Sequence, residues 1–287
     1  MAATLAAVVA GVGIAALDHA RTERLLNPAG TAFADRQTLP EHGIERPPTP
    51  PAPAAVRQAE RYARDRAGLV SFAGIDDRGR TYGLHLDRPY VSASVVKALL
   101  LAAELRRLAR ADAPLDPATG DTLTRMITYS DNDAADAIYA RVGDAGLHEV
   151  AKRTGMRSFA VSGYWANAQI TARDIAGFMW RLDRALPAGK RRFGRSVLAG
   201  IVPAQRWGIP ETLGRHWSVR LKGGWRSTEL GQLVHQTAAL KHDEGSRAAI
   251  AVLTDAQPSQ GYGIETVRGV AERLLADPHS SGAGPNR

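Results

Sequence analysis

Apolar and polar positions alternate with different periods along the chain, and each change of period marks an element. Residues 55–66 repeat apolar positions at helical spacing and predict a helix. Residues 69–75 and 80–86 are runs of apolar and aromatic side chains on either side of the turn sequence Asp76-Asp77-Arg78-Gly79, and predict two strands paired antiparallel. From Ser94 to Ala103 the chain is apolar on nearly every side, which predicts a buried helix that continues to about residue 109. Further helices are predicted at 121–128, 133–142, 146–154, 171–185 and 194–200, strands at 217–222, 232–240 and 248–254, and a closing helix at 264–276. This order predicts an α+β fold in three layers (α/β/α). One five-stranded antiparallel sheet is flanked by the terminal helices, and a mostly helical insert at 87–216 follows the second strand.

The ends of the chain read differently. Residues 2–17 are nearly all apolar or glycine and resemble the hydrophobic part of an export signal, although no Lys or Arg precedes them. Residues 1–20 are therefore expected to be a signal-like or membrane-anchor segment, and the protein to be extracytoplasmic, secreted or membrane-anchored. Residues 21–54 are expected to be a linker, because Pro47, Pro48, Pro50, Pro51 and Pro53 favour extended chain. The folded domain is expected at 55–277, followed by a disordered tail at 278–287.

Composition narrows the chemistry. There is no cysteine, so disulfides, thiolate metal sites and lipid attachment at cysteine are excluded. The eight histidines are scattered and form no H-E-x-x-H, so neither a metal nor another cofactor is expected. The net charge is +8, and only five of the 37 basic residues are lysines. The charge is spread along the chain rather than gathered on one element, which reads as a solvated basic surface and argues against a nucleic-acid partner.

Lys97 is out of place in Ser94-Val95-Val96-Lys97-Ala98-Leu99-Leu100-Leu101. Burial of an ammonium lowers its pKa toward the neutral amine, which is a good proton acceptor. Ser94 lies one turn earlier on the same face, where its hydroxyl can act as nucleophile and its N–H can bind an oxyanion. Two further clusters follow. Ser130-Asp131-Asn132 precedes a helix and offers a second hydroxyl to relay a proton and an amide to orient a substrate. Lys222-Gly223-Gly224 ends a predicted strand, where two glycines allow close approach of substrate to the strand edge. Lys222 would hold the electronegative end of the substrate, and the N–H of Trp225 would complete the oxyanion hole.

Together these clusters resemble the S-x-x-K, S-D-N and K-T-G set of class A β-lactamases and penicillin-binding proteins, in the same chain order. The resemblance spans roughly residues 55–277. It implies an acyl-enzyme on Ser94, Lys97 as general base, Ser130 as proton shuttle, and Asn132, Lys222, Gly224 and Trp225 as substrate-binding residues. It implies a small-molecule or peptide substrate of the β-lactam or cell-wall-peptide class, and Asp131 as a fold-holding residue.

Two departures qualify the resemblance. Gly223 stands where a threonine or serine hydroxyl is usual, leaving Arg220, Arg226 or Ser227 to compensate. The class A enzymes also carry a loop glutamate that activates the deacylating water. Residues 158–171 contain no Glu or Asp, and aligning Asn167 with the family's loop asparagine puts Gly163 at the glutamate position. The next carboxylate, Asp174, reads as a capping or surface residue. The expectation is a serine hydrolase that is slow to deacylate; the alternative is a non-catalytic binding module for cell-wall peptide or protein on the same fold.

Overall fold

The computed structural model describes residues 51–276. The predicted export segment and the tail lie outside the described residues, as does all of the linker before residue 51. Helix α1 (Pro53–Arg64) starts on a proline, ends on Arg61 and Arg64, and buries Ala55, Val56, Ala59 and Ala63. Proline is favoured at a first helical position and arginine near a helix C-terminus. The buried stripe packs on the last helix, α8 (Gln260–Leu275), whose N-cap Ser259 accepts from Tyr262 N.

The sheet contains β1 (Leu69–Ile75), β2 (Thr81–Leu84), β5 (Trp217–Thr228), β6 (Gly231–His242) and β7 (Arg247–Gln257) in the order β2-β1-β7-β6-β5, all antiparallel. Residues 248–254 of β7 are buried without alternation, the mark of a strand covered on both faces. Helix α8 packs on β6 and β7, and α5 (Ala172–Trp180) packs on β1, β6 and β7. The three layers and the five-stranded sheet are those the sequence implies.

Between β2 and β5 lie α2 (Lys97–Arg110), α3 (Pro117–Thr128), α4 (Asn132–Thr154), α5, α6 (Leu182–Ala185) and α7 (Arg191–Ala199). The two helices predicted at 133–142 and 146–154 abut at Gly143, whose φ of 59° and ψ of −172° are non-helical. The predicted helix at 171–185 is two pieces, broken at Arg181. The helical block also contains a two-stranded pair, β3 (Tyr90–Val91) with β4 (Gln169–Ile170), too short to show a period in sequence.

Strand β5 is twice as long as its sequence pattern predicts. The strand predicted at 217–222 continues to Thr228, with Gly223 opposite Gln236 and Gly224 opposite His235. Apolar alternation stops at residue 222 because the glycines have no side chains to bury, while the backbone pairing with β6 continues. The glycine pair is thus the middle of a strand, not its end.

His235 ties three strands together. Its Nδ1 accepts from Thr254 N at 3.1 Å and its Nε2 donates to Val91 O at 3.0 Å, so the buried ring is satisfied as the neutral tautomer. Burial pushes its pKa down to about 4, from an ordinary 6.5. The unfolded chain therefore binds the proton first as pH falls. The stabilisation from neutral His235 is complete above pH 6.5 and is lost as pH falls to about 4, on the order of 3 kcal/mol in all. Thermal unfolding followed from pH 7 to pH 4 is expected to show this loss, with a flatter pH dependence in His235→Gln. An identical slope in the two proteins would remove the assignment.

Candidate active site

Ser94 is placed by a short turn rather than by the first turn of the α-helix. Residues Ala93–Val96 form a 3-10 turn that runs into α2 at Lys97. Ala93 has a φ of 43°, a left-handed conformation rare for a residue with a Cβ. It is held by Ser92, which donates its N–H to Ala168 O at 2.7 Å and its hydroxyl to Ala93 O at 3.2 Å. Strain of this kind persists where the surroundings over-determine the backbone. The result is a Ser94 that is partly exposed at the edge of the buried core.

Lys97 is buried, and its Nζ donates to Ser130 O at 2.6 Å, Asn132 Oδ1 at 2.7 Å, Asp131 O at 3.2 Å and Ser130 Oγ at 3.4 Å. Ser130 also has a left-handed φ, 58°, which helps to turn its carbonyl toward the ammonium. Burial lowers the Lys97 pKa to about 8, against the opposing charges of Asp131 and Asp136. Asp131 caps α4 by accepting from Ala134 N at 3.0 Å and pairs with Arg125 at 3.3 Å.

Lys222 reaches the same hydroxyl from the sheet. Its buried Nζ donates to Ser130 Oγ at 3.0 Å and to Gly223 O at 2.8 Å. Burial and the Lys97 charge push its pKa well below the ordinary lysine value. Ser130 Oγ thus lies between two amines that resist being charged together, a coupled pair suited to passing a proton. Ser94, Lys97, Ser130, Asn132 and Lys222 meet where the helical block faces β5. Among the described residues no hydrogen bond joins Ser94 Oγ to Lys97 or Ser130.

Gly224 packs against the backbone of this turn. A Cβ there would stand 2.9 Å from both Ser94 N and Val95 N, and 3.2 Å from Ser92 O. Backbone atoms of a buried turn cannot give way cheaply, so Gly224→Ala is expected to cost about 1–3 kcal/mol in thermal unfolding and to slow labelling of Ser94. Gly223→Ala serves as the control, since its methyl would meet Trp207 ring carbons at 3.3 and 3.5 Å and His235 O at an ordinary contact distance of 3.7 Å. Equal tolerance of alanine at both positions would overturn this account of Gly224.

The residues expected to compensate for Gly223 are engaged elsewhere. Trp207 lies over Gly223 and packs edge-on with Trp225, ring centroids 6.0 Å apart. Gln236 fixes that loop by donating to Trp207 O at 2.6 Å and accepting from Ile209 N at 2.7 Å. Arg226 donates to Asn167 Oδ1 at 3.0 Å, Ser227 accepts from Gln232, and Arg220 lines a separate cavity. An indole occupies the neighbourhood where a hydroxyl was expected.

The loop before α5 also departs from its reading. Gly163 is turned away, donating its N–H to Asp144 Oδ2 at 3.0 Å, so it is not the position beside Lys97. That position is Trp165, a buried indole whose centroid lies 4.8 Å from Lys97 Nζ and whose Nε1 donates to Asp136 Oδ1 at 2.6 Å. Asp174 is not a surface residue: it is buried and accepts from Arg157 N at 3.0 Å and Ser158 N at 2.7 Å, fastening the start of the loop. Sequence reasoning missed Trp165, Asp136 and Trp207. Tryptophan in a polar loop was the one available signal.

A five-stranded antiparallel sheet with a helical block, and a serine–lysine cluster between them, defines the β-lactamase and penicillin-binding-protein superfamily. The Beta-lactamase2 model, described as the beta-lactamase enzyme family, matches residues 110–277, more than half of the chain, and the chain belongs to that family. Ser130, Asn132 and Lys222 fall inside the matched segment; Ser94 and Lys97 precede it. The fold is similar to that of PBP-A, at TM-score 0.67 and 18% identity over 79% of this chain and 97% of that one. It is similar to a β-lactamase from Chitinophaga pinensis DSM 2588, at TM-score 0.69 and 16% identity over 77% and 97%. A class A β-lactamase from Mycobacterium abscessus is matched at TM-score 0.67 and 18% identity over 80% and 100%. No curated protein is matched.

Proposed function

We propose that this protein is a serine hydrolase that takes an acyl group from an amide, β-lactam or peptide substrate onto Ser94 and releases it slowly. The observation that carries the reading is the convergence of Lys97 and Lys222 on Ser130 Oγ, at 3.4 and 3.0 Å, beside Ser94. Ser94 Oγ attacks the carbonyl carbon while its proton passes to the neutral Lys97 amine. The carbonyl oxygen becomes an oxyanion facing the Ser94 and Trp225 amides. When the carbon–nitrogen bond breaks, Ser130 gives its proton to the leaving nitrogen and is reprotonated from the lysine pair, leaving an ester on Ser94. Asn132 and Lys222 hold the substrate amide and its carboxylate.

Slow release rests on the loop. The group facing Lys97 there is the Trp165 indole, and the nearby carboxylate of Asp136 is engaged by the indole N–H. Among the described residues the loop at 158–171 thereby presents no carboxylate to activate a water. Residues 1–20 would carry the protein out of the cytoplasm to a cell-wall substrate. The second reading, a binding module for cell-wall peptide or protein, is favoured by Gly223, which carries no hydroxyl and has the Trp207 ring packed over it.

Incubation with a reactive β-lactam, followed by intact mass and ring-opening absorbance, tests both. The expected result is an adduct of the probe's mass that accumulates to one per chain and persists. Fast ring opening without an adduct would refute slow release. Neither ring opening nor adduct with several acyl donors would favour the binding module.

A further inference from the structure

A second cavity, of about 260 Å³, lies away from Ser94 between α5, α6, α7 and the β5–β7 end of the sheet. Its wall carries four cationic side chains, Arg195, Arg220, Lys241 and Arg247, and one carboxylate, Asp183. Asp183 is already engaged: Arg195 donates to Asp183 Oδ1 from Nε at 2.7 Å and to Oδ2 from Nη2. Among the described residues, Arg220, Lys241 and Arg247 have no carboxylate within salt-bridge distance. Arg247 instead stacks on Trp180, 3.9 Å from the ring centroid, which holds its planar guanidinium in place.

Arg220 makes this cavity more than a basic surface. Its Nε is buried and has no hydrogen-bond partner. A buried donor left unmade costs on the order of its full desolvation, so native proteins retain few of them without cause. Burial and the adjacent Arg195 charge also lower the Arg220 pKa from its ordinary value. An anion in the cavity would supply the missing counter-charge to the Arg220 guanidinium, which forms part of the wall. The arginine fork matches the oxygens of a phosphate, and an aromatic wall suits the organic part of an ester.

We propose that this cavity is a binding site for a small phosphate ester, held by Arg220, Arg247 and Lys241 with Trp180 as its apolar wall. It is independent of the acylation chemistry. Arg220 is two residues before Lys222 on β5 and so projects from the same face of the strand, but the cavity shares no side chain with the serine–lysine cluster.

The test is calorimetric titration of the full chain with inorganic phosphate, and separately with glycerol 3-phosphate, at constant ionic strength set with chloride. Two lysines in the candidate active site could also attract phosphate, so the titrations are repeated in Lys222→Met. The expected result is one ligand per chain, retained in Lys222→Met and weakened about ten- to hundredfold in both Arg220→Gln and Arg247→Gln. Unchanged circular dichroism melting of the last two variants without ligand establishes that they fold. Should only one of them fold, that one carries the test. The proposal is overturned by no binding to the parent chain, by binding abolished in Lys222→Met, or by binding undiminished in a folded arginine variant.

Discussion

Ser94→Ala is expected to lower the rate of covalent labelling by a β-lactam at least about 10⁴-fold, to no detectable adduct by intact mass. The magnitude follows from what is removed. The alanine leaves no nucleophilic oxygen, and neither Lys97 nor Lys222 can substitute, because both are buried and directed at Ser130. Stability should hardly change. Ser94 is partly exposed and its hydroxyl takes part in no hydrogen bond among the described residues, so its removal falls within the roughly 0.5 kcal/mol usual for such sites. Chemistry and folding are thus separable in this one variant. An adduct in Ser94→Ala that forms at the parental rate would place the acyl group elsewhere and remove Ser94 from the mechanism.

The second large effect is expected at Lys97. A pKa of about 8 against an ordinary 10.5 raises the neutral fraction at pH 7 by roughly 300-fold, to about one molecule in ten. Only the neutral amine accepts the Ser94 proton. The acylation rate is therefore expected to rise about tenfold per pH unit below pH 7.5 and to level off above about pH 8.5. Lys97→Met should lose about 10²- to 10⁴-fold in acylation, and the inflection with it. Stopped-flow or manual labelling rates across pH 6 to 9 measure both. A flat profile in the parent chain would exclude Lys97 as the base, whatever its variants do.

Much of this was legible in the sequence because local rules carried it. The buried helix after Ser94 announced itself by apolar residues on every side, and Lys97 stood out against them. Strand β1 was readable to the residue, since Leu69–Ile75 is apolar and bounded by clear turn signals. The far half of β5 was not readable. Gly223 and Gly224 carry no periodic signal, and only the ladder with Gln236 and His235 makes them strand. Their partners lie on another strand, so no local window contains the information.

The loop before α5 shows the same limit from the other side. Its lack of Glu and Asp was plain in the sequence, and with it the expectation of slow release. Which residue faces Lys97 was not, because Gly163 turns outward on a hydrogen bond to Asp144, a contact made across the fold. Trp165 takes the place instead, held by Asp136 from α4.

The sequence by itself determined the kind of chemistry available: a serine and a lysine one turn apart, a second serine with an asparagine, and a lysine beside two glycines. Residue type and short spacing suffice for that, because nucleophile, base and helix cap are defined within a few residues. Tertiary structure alone decided the arrangement. It gave Ser130 two lysine partners, pressed Gly224 on the Ser94 turn, set Trp207 over Gly223, and left Arg220 without an acceptor in a cavity of its own. Each of these depends on burial and on contacts between distant segments, and burial is a property of the whole packed chain.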